Sequence, residues 1–277
     1  MMFADQISAP APVETAFAEA RAADPRRDAA AAVINATVQI DQPSGEGLRT
    51  VATAFLVNAP RPNGAPRTVL VTARHVLEQM PERSARVGWR VQQSDGGWRF
   101  SPQPLEIRDA ALNPLWSTPP DRDIAVMEVT APEAFARAAI PLAWLAEAEE
   151  FETAGAAAGD ELFTLGFPGG LSSNRAGFPI LRVGRIASWP LTPIRVFPTF
   201  LLDFRVFPGD SGGPVFRPGG GAAGQPPVIA GVVIKEVVAP GPVGQPQGQG
   251  QGIGLGVIAH TAYVREAIAL LDAPGRP

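Results

Sequence analysis

Residues 209–214 read Gly209-Asp210-Ser211-Gly212-Gly213-Pro214, a serine enclosed by glycines, an acid and a proline. A serine hydroxyl is too weak an acid to attack a carbonyl unaided. It needs a base to accept its proton and donors to hold the charge that forms on the substrate oxygen. Glycines on either side let the backbone bend so that the amides of this stretch point at one spot, and they leave no side chains in a substrate's way. A Gly-Pro-rich turn with an incidental serine is the plain alternative. The length of the hexapeptide weighs against it, compared with a lone Gly-x-Ser-x-Gly.

The base for such a serine has to be His75 or His260, the two histidines of the chain. His75 stands in Thr72-Ala73-Arg74-His75-Val76-Leu77, directly after the apolar run 68–71. A strand end turning there into a short helix sets the imidazole at the rim of a β unit, within reach of a cleft. His260 opens the terminal helical segment and is read as structural. A carboxylate is also needed, to fix the imidazole tautomer and stabilise the imidazolium. Asp123 heads Asp-Ile-Ala-Val-Met-Glu-Val, an acid entering an apolar strand. Asp121 is its substitute, two residues earlier and on the same face if the segment is extended.

Composition sets the frame. The chain has 277 residues, of which 45% are hydrophobic and 18% charged, with 29 glycines and 30 prolines. That balance favours short strands joined by many turns over long helices. Two series of short apolar, β-branched runs follow one another: 32–40, 51–58, 68–71, 86–92, 98–107 and 124–129, then 161–166, 180–188, 199–203, 213–216, 228–234 and 254–259. Equal series of six suggest two packed β-barrels with a cleft between them, a preferred place for a site. The organisation expected is an N-terminal arm over residues 1–31, helical in part; a first barrel over 32–148 carrying His75 and Asp123; and a second over 149–277 carrying Ser211. The second barrel ends in a helix over 261–271, capped by Thr261 and docked on that barrel. Residues 146–160 read as a linker, and 217–227 and 239–252 as low-complexity loops.

Several classes are set aside by the same reading. A net charge of −4 without clustered Lys and Arg gives no reason to expect nucleic acid or an anionic membrane as partner. The absence of cysteine excludes disulfides, thiolate chemistry and Cys-ligated zinc. The chemistry at Ser211 calls for no metal or organic cofactor. No segment reaches the length of a membrane span, and residues 1–31 lack a basic start followed by an apolar run. The expectation is a cytoplasmic chain, with an exported form relieved of its signal as the alternative.

The order His75, Asp123, Ser211 with wide gaps, together with the three local motifs, resembles the chymotrypsin/trypsin clan. It is most similar to the cysteine-free bacterial branch related to the HtrA (Deg) proteases. Gly166-Phe167-Pro168-Gly169, Val183-Gly184-Arg185-Ile186-Ala187-Ser188, Asp203 and Pro208 extend the likeness, which covers roughly residues 33–271. The resemblance implies two six-stranded barrels with the triad between them and a serine endopeptidase that cuts peptide bonds through an acyl-enzyme. Its substrate is a protein or peptide, and its oxyanion site is formed by Gly209, Asp210 and Ser211. A catalytically degenerate module that binds peptides or a partner is the alternative, and latency until a partner protein orders the loops is a further possibility.

The chain departs from that branch in places. No PDZ domain is expected after Leu271. Asp210 stands where HtrA enzymes usually have Asn and digestive trypsins have an Asp paired with a new N-terminus. An internal cation is the partner expected for it here. Arg74 replaces a small residue and is read as solvent-facing. By the same resemblance, the pocket for the residue before the scissile bond is lined by 204–209, 231–236 and 254–257, with Arg205, Val233, Ile234, Lys235 and Gly256 as candidates. Arg205 turned inward would favour an acidic side chain. Turned outward, it leaves a small apolar pocket at Val233 and Ile234.

Overall fold

The computed structural model describes residues 25–45, 47–148, 156–219, 226–239 and 251–273. Residues 1–24 of the expected arm, 149–155 of the expected linker, and 220–225 and 240–250 of the two low-complexity loops lie outside the described residues.

Helix α1, Pro25–Ala36, opens the described chain and is followed by β1, Thr37–Gly45. Residues 32–36 are therefore helical, although Val33 and Ile34 invite a strand. The reason is tertiary. Val33 is buried in the core, and the carbonyls that end the helix find a donor in Arg90. Its guanidinium bonds to the oxygens of Ile34 (3.2 Å), Asn35 (2.8 Å) and Thr37 (2.7 Å). A cation there also complements the negative end of the helix dipole. Burial pushes the Arg90 pKa down to about 10.

The first half of the chain builds an antiparallel sheet from β1, β2 (Leu48–Asn58), β3 (Thr68–Thr72), β4 (Ser84–Gln92), β5 (Trp98–Glu106) and β6 (Ala125–Glu128). Their spatial order is β5-β4-β1-β2-β3-β6. The short β7, Ile140–Pro141, adds to β2 in parallel. Six strands were expected here to close on themselves. The pairing instead leaves β5 and β6 as the two ends of the sheet. β5 is suited to an edge: Pro102 and Pro104 lack the N–H that a ladder needs, and most of the strand is exposed. The outer side of β6 is occupied by an isolated bridge between Ser117 and Val126, so the segment leading to Asp123 lies against it.

The second half forms a closed barrel of β8 (Glu161–Gly166), β9 (Ile180–Ile186), β10 (Thr199–Asp203), β11 (Pro214–Arg217), β12 (Val228–Val238) and β13 (Gly252–His260). The barrel interior holds Leu162, Phe200, Leu202, Val215, Val233 and Ile258. A second, larger core runs from the first sheet into the barrel's outer wall, including Leu165, Phe216 and Val232.

Helix α3, Ala262–Leu270, closes the described chain. It was expected to dock on the second barrel, but its buried residues Tyr263, Val264, Ala267 and Ile268 join the core of the first sheet. Buried Arg67 grips Asp272 with two hydrogen bonds, at 2.7 and 3.0 Å, and the Arg122 guanidinium lies 4.6 Å from the Tyr263 ring. Thr261 makes no capping bond to the helix. Its hydroxyl donates to the Ile229 carbonyl at 2.6 Å. The end of the chain thereby straps the second half to the loop that carries Asp123.

Candidate active site

His75 lies on helix α2, Arg74–Glu78, which begins two residues after β3 ends. The His75 Nδ1 is 2.8 Å from Asp123 Oδ2, and the His75 backbone N–H donates to Asp123 Oδ1 at 2.9 Å. Both carboxylate oxygens are therefore engaged by one residue, which fixes the ring plane and leaves Nε2 to face the cleft. Burial works to raise the Asp123 pKa. The hydrogen bonds from the His75 ring and backbone outweigh it, and the carboxyl is held below its ordinary value. Asp121, expected on the same face of an extended segment, instead has φ 57 in a turn before β6. Arg74 is partly exposed and pairs with Glu78 at 3.3 Å.

Ser211 sits in the turn between β10 and β11, at the seam of the two halves. It shares a cleft of about 330 Å³ with His75, Pro208, Gly209 and residues 49–52 of β2. The turn is specific for glycine at two points. Gly209 has φ +101, and a Cβ there would lie 2.2 Å from the Phe167 carbonyl. Gly212 has φ +88, and a Cβ there would lie 2.0 Å from the Thr53 carbonyl. Among the described residues, neither the Gly209 nor the Ser211 amide has an acceptor. The Asp210 amide is different: it donates to Phe207 O at 3.0 Å. Of the three residues expected to hold an oxyanion, Asp210 thus contributes its side chain to the turn and not its N–H to the cleft.

That side chain is 1% exposed. Its Oδ2 accepts the Phe207 N–H at 2.7 Å and pairs with Arg182 of β9 at 2.6 Å, the internal cation anticipated for it. The guanidinium of Arg182 also donates to Arg205 O at 2.7 Å and lies 5.0 Å from the Phe204 ring centre. Burial nevertheless pushes the Asp210 pKa above its ordinary value, because the Phe207 and Arg182 contacts offset it only in part.

The Ser211 hydroxyl donates to the Ile234 carbonyl at 3.2 Å, not to His75. Of the residues expected to line a specificity pocket, Arg205 is exposed with its guanidinium 5.2 Å from the Phe207 ring centre, and Lys235 is exposed as well. Val233 and Ile234 are buried. The Phe204 ring packs over Gly256, 2.3 Å from where a Cβ would stand. None of these side chains lines the cleft that holds His75 and Ser211.

The sequence reading missed Thr53. Fully buried on β2, it donates its N–H to Ser211 O (3.0 Å) and its hydroxyl to Gly209 O (2.7 Å), and it accepts the Phe167 N–H (3.2 Å). One first-half residue thus fastens both ends of the nucleophile turn. The available signal was a lone polar residue in the apolar run Val51-Ala52-Thr53-Ala54-Phe55.

His260 is buried 1% exposed against Phe200, with ring centres 5.1 Å apart. Burial lowers its pKa from 6.5 to about 4, against a smaller opposing effect of a hydrogen bond to the Phe197 backbone. Because the folded value is depressed, the unfolded chain binds the extra proton first as pH falls. The associated stability is complete above pH 6.5 and is lost progressively down to pH 4. Thermal unfolding of the wild type should lose roughly 2 kcal/mol more stability between pH 7 and pH 5 than the His260→Phe variant does. Parallel pH profiles of the two would contradict the assignment.

The family model described as "Trypsin-like peptidase domain" matches residues 52–224. No curated protein matches the chain. Among solved structures, one similar to this chain is described as the crystal structure of the protease Anisep from Arthrobacter nicotinovorans. The identity is 14% and the TM-score 0.49, over 85% of this chain and 94% of that one.

Proposed function

The chain belongs to the trypsin-like peptidase family, and from that premise we propose that it is a serine endopeptidase with Ser211 as nucleophile, His75 as general base and Asp123 as the residue that orients the base. The observation that carries this reading is convergence. A histidine held through its ring and backbone by one carboxylate shares a cleft with a serine whose turn offers two acceptor-free amides.

The steps follow from those positions. Ser211 Oγ turns from the Ile234 carbonyl toward His75 Nε2, gives up its proton there and bonds to the carbonyl carbon of the substrate. The oxyanion that forms is held by the Gly209 and Ser211 amides. Asp123 stabilises the imidazolium. The C–N bond then breaks as His75 passes the proton to the leaving amine, leaving an ester on Ser211. Water attacks that ester, His75 takes its proton and returns it to Ser211 Oγ, and a carboxylic acid departs. Proteins or peptides are the substrates implied by the family, and no cofactor enters these steps. The motifs of the sequence support a likeness to the cysteine-free bacterial HtrA-like proteases.

A second reading is a peptide- or partner-binding module of the same fold, or an enzyme latent until a partner acts. It rests on the Ser211 hydroxyl being bonded to Ile234. Incubation with a denatured protein, read by fragment mass, separates the two. The endopeptidase reading predicts internal cuts by the wild type and none by Ser211→Ala, whereas an intact substrate in both samples favours the second.

A further inference from the structure

The cleft that holds His75 and Ser211 has a second feature that these steps do not use. Its lining is Arg49, Thr50, Val51 and Ala52 of β2, Val76 and Gln79 on and beside α2, and Pro208 and Gly209 of the nucleophile turn. Apart from His75, the one ionisable side chain among them is Arg49.

Arg49 is held in place through its guanidinium. Its Nη1 donates to Asp41 Oδ2 at 3.1 Å and to Gln39 Oε1 at 3.5 Å. Its Nη2 lies 3.4 Å from the position a Cβ on Gly170 would take, so the guanidinium reaches toward the turn Pro168–Gly170. Asp41 is shared with a second cation. That carboxylate is 5% exposed and is already engaged by Arg86, whose Nε reaches Oδ1 at 3.0 Å and whose Nη2 reaches Oδ2 at 2.6 Å. Two guanidinium groups thus share one carboxylate, which leaves the trio a net positive charge, and the Arg49 side chain remains 41% exposed.

The direction of the cleft follows from the chemistry. The Ser211 hydroxyl lies against β12 at Ile234 on one side. β2 and α2, which carries His75, lie on the other. Since His75 must hand its proton to the leaving amine, the chain after the scissile bond leaves on the β2 side. Resting on the endopeptidase reading, we infer that Arg49 makes this cleft a binding site for an acidic side chain within the first three residues after the scissile bond. A carboxylate there meets a cation whose position is already fixed, so little ordering entropy opposes a charge-assisted pair. Partial exposure limits the gain to about two- to fivefold, and salt should reduce it.

The test has two readouts. Cleavage of a mixed peptide library by the wild type reports residue preferences on both sides of the cut, and matched peptides carrying Glu or Gln after the cut give the ratio of kcat/KM. Binding of the same peptides, fluorescently labelled, is measured on Ser211→Ala by anisotropy and does not depend on turnover. The expected result is a Glu:Gln ratio of about two to five in the wild type, near one in Arg49→Gln, and a shift toward Lys in Arg49→Glu, with the same order in the binding data. Cleavage without preference for an acid after the cut, or a preference unaltered in Arg49→Gln, overturns the inference and leaves the endopeptidase reading intact. No cleavage of any peptide, with Glu-selective binding that Arg49→Gln abolishes, overturns the endopeptidase reading and supports the acid-binding cleft. No cleavage and no selective binding overturns both.

Discussion

Replacing His75 with alanine is expected to lower kcat on a peptide substrate by about four to six orders of magnitude while leaving the fold in place. In the proposed mechanism the imidazole accepts the proton of Ser211 and delivers it to the leaving amine, so its removal would disable both bond-making and bond-breaking. Its loss leaves Asp123 partly solvated rather than sealed in the core, which keeps the structural cost small. Ser211→Ala should cost about the same, and the double variant no more than either single one, because groups that act as a unit do not contribute additively. Steady-state kinetics beside circular dichroism checks this. A double variant far worse than both single ones would mean that Ser211 and His75 work independently, which the mechanism does not allow.

The second large effect is expected at Arg182, which touches no substrate. Asp210 is almost fully buried, and its charge depends on Arg182 and the Phe207 amide. With Arg182→Gln the carboxylate would remain buried without its cation, at a local cost of about 3 to 5 kcal/mol. Turning Asp210 outward relieves that cost but drags Gly209 and Ser211 with it, and the two cleft-facing amides lose their aim. A fall in kcat of about 10² to 10³ is expected, the scale of a lost oxyanion donor, with the β-sheet signature retained. Adding Asp210→Asn removes the buried charge and should restore part of the rate. A double variant as slow as Arg182→Gln alone would show that the pair serves stability and does not position the turn.

The parts of the molecule that were legible in the sequence are those whose signal is local. The hexapeptide around Ser211 declares itself because its glycines answer to backbone geometry, and two histidines left little choice of base. The twelve apolar runs carry strand periodicity, and most became strands. What could not be read depends on partners distant in the chain. Residues 32–36 favour a strand by composition and are helical because Arg90, more than fifty residues on, satisfies the helix end. The terminal helix has one apolar face, and that pattern does not say which core will receive it. Thr53 and Arg182 act through contacts spanning 156 residues to Gly209 and the distance from β9 to Asp210, for which no spacing rule exists. The open edges of the first sheet were foreshadowed by Pro102 and Pro104, a signal overlooked in favour of the count of strands.

Labelling of the purified protein by a fluorophosphonate probe, with Ser211→Ala alongside, tests the central claim most directly. The probe reacts only where a serine, its base and the oxyanion donors are assembled, whatever the substrate. Stoichiometric labelling of the wild type at Ser211, absent in the variant, is the result predicted. A well-folded wild type that remains unlabelled, or labelling that persists in Ser211→Ala, would contradict the assignment of Ser211 as nucleophile.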